Sequence, residues 1–419
     1  MRVGVLLAAG AIAVVSPACS KAEGDAGPMG KYVVEVGLGE AMVDGELALV
    51  GDDRVEFGRL TFSGEPPLVL DVSELDERTA TLDGRVAAIG IELRLRFDTD
   101  STLSGTLALG PNSGSITGRR GIAAGVDPEP PQCEGGSGEL PRPVPVSRPG
   151  SEPDVAEIHS SDVTLFWETL DAGSDETLAS RLHCEYLRSG SDALRDFIPS
   201  RIVSAETLAE AVLEHRERYE AVRESSLSLA ELEPEIREVF QNLYAMLPDA
   251  VFPDVHFVVG RFTTGGTISQ RGLILGAEMY LDRSRVVPVV AHELVHFQQR
   301  IPGHESSLLA QSITEGSADF IGELISGGTT IQEQYEYGTA HEDMLWEEFS
   351  RVMHGTDFDG WLYGGQPEGR PADLGYFFGY RIAEAYFHRA GANEDALRGL
   401  LVVDDFAGLL EESGYDPGR

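Results

Sequence analysis

The chain has 419 residues, 42% hydrophobic and 8% aromatic, which is enough apolar material for packed cores and argues against intrinsic disorder. At this length two folded units are the default expectation. Seventy Asp and Glu face 32 Lys and Arg, a net charge of −38, which excludes a nucleic-acid binder resting on overall positive charge and keeps the protein soluble.

Met1-Arg2 precedes an apolar run from Val3 to Val15 and then Ser16-Pro17-Ala18-Cys19. A positive start, a short apolar stretch and small residues predict a secretory signal peptide over residues 1–18. The run falls short of the ~20 residues that a membrane-spanning helix needs. Cys19 behind its small-residue triplet resembles the lipobox of bacterial lipoproteins, in which that cysteine is acylated, although Ser16 stands where the motif prefers leucine. The expectation is an exported protein, periplasmic or at the cell surface of a bacterial envelope, that meets the membrane only through an N-terminal lipid. Residues 19–31 would be its tether. Lipidation of Cys19 leaves Cys133 and Cys184, which are either one disulfide or two free thiols.

From Tyr32 the pattern has period two. In Ile91-Glu92-Leu93-Arg94-Leu95-Arg96-Phe97 the odd positions are apolar and the even ones charged, as in a strand with one buried and one wet face. Similar runs occur at Tyr32–Leu38, Glu46–Val50, Val55–Phe62, Leu68–Val72 and Leu103–Leu109. Between them, Gly51-Asp52-Asp53, Ser63-Gly64 and Asp83-Gly84 read as turns. Residues 32–122 are therefore expected to form a small antiparallel β sandwich or barrel of unknown partner, with no catalytic constellation. Residues 123–153, rich in Pro, Gly, Glu and Ser, read as a linker.

Beyond Asp154 the period lengthens to that of helices, expected near 154–171, 176–188, 204–222 and 228–247. A β interval follows at Val255–Val259 and Gly272–Leu275, and helices resume from Arg285. Residues 154–419 are thus expected to be a mainly α unit with a small sheet.

That unit contains Ala291-His292-Glu293-Leu294-Val295-His296-Phe297. On a helix, residues four apart lie one turn above each other, so His292 and His296 present two imidazoles to one tetrahedral metal. Glu293 stands one position round, beside the metal, where it is placed to accept a proton from an activated water. Ser284 is the candidate cap of this helix. Eighteen residues separate His296 from Glu315, which sits on a second expected helix from Leu308 to Ile325, ended by Gly327-Gly328. Glu315 completes a His₂Glu set with its fourth position open, which implies one Zn²⁺ per chain. Asp319, a turn beyond Glu315, is placed to take the second ring N–H of a zinc histidine.

HExxH followed at this distance by Glu-x-x-x-Asp resembles the gluzincin metallopeptidases, among them thermolysin and the zinc aminopeptidases. Several stretches further resemble an uncharacterised bacterial family of predicted zinc-dependent proteases, akin to gliding-motility lipoproteins. They are Phe252–Val255, Gly265–Thr267, Leu275–Glu278, Ala291–Gln298, Glu315–Phe320 and Gly375–Tyr380. The resemblance implies a gluzincin-like fold for the second unit and a peptide or protein substrate. It also implies an edge strand within Thr267–Tyr280 for the substrate backbone, and a donor for the oxyanion. Tyr376, on an expected helix from Asp373 to Phe387, is the first candidate for that donor, with Tyr380, His304 and His341 behind it. The expected function is metal-assisted hydrolysis with Glu293 as general base. The alternative is a non-catalytic surface lipoprotein that uses the zinc site structurally or to bind a partner.

Overall fold

The computed structural model describes residues 30–417 except 39–40, 51–54, 56, 63–67, 77, 87–88, 100, 110–111, 121–132, 134–139, 142–149, 270, 301–306 and 364–368. The expected signal peptide, Cys19, nearly all of the tether, most of the linker, the turns at Gly51–Asp53 and Ser63-Gly64, and His304 lie outside the described residues.

Eight strands open the fold: β1 (Gly30–Leu38), β2 (Ala41–Val50), β3 (Phe57–Phe62), β4 (Leu68–Leu75), β5 (Thr79–Val86), β6 (Ile89–Thr99), β7 (Thr102–Leu109) and β8 (Asn112–Arg120). Each pairs antiparallel with the next, and β8 returns to β1 through Tyr32↔Arg120 to Gly37↔Ser115, closing a barrel. Closure leaves no exposed sheet edge. The alternation read in β6 is the alternation of burial: Ile91, Leu93, Leu95 and Phe97 point inward with Tyr32, Val34, Leu47, Leu82, Leu107 and Ile116. Asp83-Gly84 is not a turn but lies inside β5, paired with Glu92 and Ile91 of β6. A glycine is tolerated there because a small barrel must bend its strands sharply.

The second part is mainly helical. Its sheet has the order β11-β12-β10-β9, built from β9 (Ile158–His159), β10 (Asp254–Val258), β11 (Gly266–Ser269) and β12 (Gly272–Gly276). β9, β10 and β12 are parallel, while β11 runs antiparallel along the outer edge. Around this sheet a single large core gathers Phe166, Tyr186, Phe240, Val290, Leu294, Ile313 and Phe377. The expected first helix is shorter than read, Ser161–Asp171, because residues before it are spent on β9. The helix expected over 204–222 breaks at His215 into Ala205–Glu214 and Arg216–Leu227. Cys133 and Cys184 form a disulfide. Closing a loop of 51 residues contributes about 4 kcal/mol in the chain-entropy account.

Two helix crossings bring the polar side chains of this part together. The helix Leu308–Ser326 packs on both Val286–Gln298 and Leu374–Arg389. At the second crossing a Cβ on Gly379 would stand 1.6 Å from the Ser312 carbonyl oxygen, and one on Gly316 would stand 2.0 Å from the Tyr380 nitrogen. The contact there is backbone on backbone, and only glycine allows it.

Glu278 follows β12 and is 1% exposed. Its Oε1 accepts the Phe262 N–H at 3.1 Å. Burial pushes its carboxyl up to about 7 from an ordinary value of 4.5. The folded pKa is the higher one, so the neutral carboxyl stabilises fully below pH 4.5 and that contribution is lost as pH rises to about 7. Glu278→Gln is neutral throughout. Its stability relative to wild type should therefore improve by roughly 3 kcal/mol between pH 4.5 and 8, read by denaturant unfolding across that range. A difference that does not change with pH would contradict this.

Candidate metal centre

The helix Val286–Gln298 carries His292, Glu293 and His296. Its entry is a 3₁₀ turn, Arg283–Arg285, capped by the Asp282 side chain on the Ser284 N–H; Ser284 itself caps nothing. Asp282 wins because its carboxylate reaches two residues ahead to the amide of Ser284, the Asx geometry that short acidic side chains favour. Glu315 and Asp319 stand on Leu308–Ser326, which Ser307 caps through the Ala310 N–H and Gly327 ends in the left-handed region at φ 71°.

The donor atoms converge. His292 Nε2 and His296 Nε2 are 2.9 Å apart, and Glu315 Oε2 lies 3.1 Å from His296 Nε2 and 3.5 Å from His292 Nε2. The far side of each ring is fixed. His292 Nδ1 is 2.7 Å from Asp319 Oδ1, and His296 Nδ1 is 2.8 Å from Gln299 Oε1. The Gln299 amide cannot be turned over, because its Nε2 donates to the Thr314 carbonyl at 2.9 Å. Both partners of the Nδ1 atoms are acceptors, so both Nδ1 atoms carry a proton and both Nε2 atoms face Glu315. Glu315 is held on its other side, where Tyr363 donates to Oε1 at 3.0 Å. Two imidazole Nε2 atoms and one carboxylate oxygen converging in a largely buried position fit a zinc ion, which would take the place of any Nε2 proton on binding.

Three of the four partners behind the donors were not read from the sequence. Thr330 donates to Asp319 Oδ1, Tyr363 holds Glu315, and Gln299 holds His296. Gln299 had a local signal, being three residues after His296 on the same helix end. The other two reach the site from 11 and 48 residues away along the chain.

Charge explains why the set holds together. Burial works against the His292 imidazolium, but the Asp319 and Glu315 carboxylates outweigh it and raise its pKa well above the usual range. Burial likewise opposes the His296 cation, and Glu315 again raises it. The Glu315 carboxyl, pushed up by burial, is brought well below the usual carboxylate range by the two histidines. Glu293 differs: burial raises it, and the charges of His292, His296 and Arg201 only partly offset that. It lies against the edge strand, since a Cβ on Gly266 of β11 would fall 2.5 Å from Glu293 Oε1.

Tyr376 stacks beside His292, ring centroids 6.5 Å apart. Burial and the Glu315 charge raise its phenol well above the ordinary value, so it keeps its proton. Tyr380 points elsewhere, against Phe320 and Tyr335. His341 stacks on Tyr337 and takes no part in the centre.

The helices and donor set define a candidate metal-binding module. Residues 258–398, about a third of the chain, match the model of a family described as Predicted Zn-dependent protease (DUF2268). The match spans the three metal-ligand candidates and Glu293, and none of the barrel. Among curated proteins none matches the chain. Among solved structures, a redesigned β barrel is similar at 13% identity with a TM-score of 0.19, covering 22% of this chain and 91% of its own.

Because Asp319 fixes the ring that presents His292 Nε2, Asp319→Ala is expected to lower zinc affinity ~10- to 100-fold with the fold retained. Competition with a chromogenic chelator measures it. An unchanged affinity would mean that the His292 ring is held without Asp319.

Proposed function

We propose that the protein is an exported, zinc-dependent peptidase of gluzincin type, in which His292, His296 and Glu315 hold one metal ion and Glu293 is the general base. The observation that carries this reading is the pair of Nε2 atoms converging on a carboxylate, with a second carboxylate of raised pKa beside them and outside the donor set. Three protein ligands leave a position open, as catalytic zinc sites do and closed structural sites do not. Zinc bound there supplies Lewis acidity and brings the pKa of water down to about 7.

The side chains then divide the work. Glu293 takes the proton of the attacking water and returns it to the leaving nitrogen as the amide breaks. Its raised pKa suits both halves of that exchange. The substrate backbone would add to the edge of the sheet at β11, which runs beside Glu293. Tyr376, protonated and next to His292, is the candidate donor to the tetrahedral oxyanion. The substrate class is a peptide or protein outside the cytoplasm. Export and lipidation at Cys19 rest on the N-terminal sequence, and the Cys133–Cys184 disulfide favours an oxidising compartment.

Glu293→Gln separates catalysis from binding. The variant is expected to hold zinc as wild type does and to lose ~10²–10⁴ in the rate of peptide hydrolysis, assayed on a panel of peptide and peptidoglycan substrates with and without chelator. A variant as active as wild type would rule Glu293 out as base. Full cellular function of the variant would favour the non-catalytic surface lipoprotein.

A further inference from the structure

A second cluster of metal-ligating side chains stands apart from the HExxH centre. Glu157-Ile158-His159 and Asp254-Val255-His256 share the pattern carboxylate-x-histidine. Alternation along a strand puts each carboxylate on the same face as its histidine. The parallel pairing of β9 and β10 sets Ile158 beside Val255 and His159 beside His256, so both pairs reach one face. The two imidazoles stack with centroids 4.6 Å apart and planes within 11°. His159 Nε2 lies 3.6 Å from Glu157 Oε2 and 3.8 Å from Asp254 Oδ2. One donor atom from each of His159, Asp254 and His256 falls within 4.8 Å of the others. Asp254 Oδ1 accepts the Glu157 N–H at 2.7 Å, which orients the carboxylate and leaves Oδ2 on the cluster.

His256 is 9% exposed, and neither of its ring nitrogens has a hydrogen-bond partner. An orphaned buried polar group is costly, so stacking alone leaves the arrangement unexplained.

We infer that His159, Asp254 and His256 bind a divalent zinc ion that ties two strands together. Two imidazoles and a carboxylate suit zinc, and Glu157 stands beside His159 at the rim of the site. The consequence is mechanical: β9 is two residues long, and the ion fastens it to β10 at the sheet edge opposite β11. None of these residues lies in the matched segment 258–398 or among the ligands of the other centre.

The test is zinc content of the full chain after dialysis from zinc buffer, comparing wild type, His159→Ala, His296→Ala and the double variant. His159→Ala should carry one zinc fewer per chain than wild type, and the double variant one fewer than His296→Ala. His159→Ala holding as much zinc as wild type overturns the inference, however much that is. Circular dichroism checks folding. Should His159→Ala not fold, the isosteric Asp254→Asn, which keeps the acceptor for the Glu157 amide, is read by the same criterion.

Discussion

The structure turns on a polar cluster placed where two apolar helices cross. His292, His296, Glu315 and Asp319 are largely buried among Val290, Leu294, Val295, Ile313 and Phe320, a position where unpaired charge is costly. The cost is met by mutual pairing and by a ring of partners, each of which also dictates orientation. The partners on both Nδ1 atoms and the hydroxyl on Glu315 Oε1 leave three donor atoms, two Nε2 and Oε2, turned to one spot. The glycine contacts at Gly316 and Gly379 serve the same end, because they bring the helix bearing Tyr376 within reach of the helix bearing Glu315.

Glu293 acquires its character from where the donors are not. It shares the motif helix but faces β11, so burial raises it while the histidines are engaged with Glu315 and Asp319. One helix thus holds two candidate ligands whose charged form is favoured and a candidate base whose charged form is disfavoured. The edge strand of the sheet runs beside that carboxylate. Rigid elements, not loops, carry the donors and the base, which is how small displacements are excluded at a reacting centre.

Much of this was legible in the sequence, for reasons that differ by element. The alternation in Ile91–Phe97 and the four-residue spacing of His292 and His296 are local periodicities, and strands and helices obey them directly. The helix Leu308–Ser326 was readable to within a residue because Ser307 and Gly327 bound it. β8 was not readable, since Asn112–Arg120 alternates small and polar residues and is a strand only through its pairing with β7 and β1. Asp83-Gly84 misled because turn chemistry and strand curvature use the same residues. Tyr363, Thr330 and the His159–His256 stack were hidden for another reason. Each is a contact between segments far apart in sequence, on which local pattern is silent.

On the proposed reading, His292 Nε2, His296 Nε2 and a Glu315 carboxylate oxygen hold a zinc ion with one position left open. Anomalous scattering at the zinc edge, from crystals of the full chain grown in the presence of zinc, tests it most directly. The expected result is a peak bonded to His292 Nε2, His296 Nε2 and Glu315 at about 2.0–2.2 Å, with a non-protein oxygen as the fourth ligand. A fully protein-liganded ion there, or folded protein with no zinc at these residues, would contradict it.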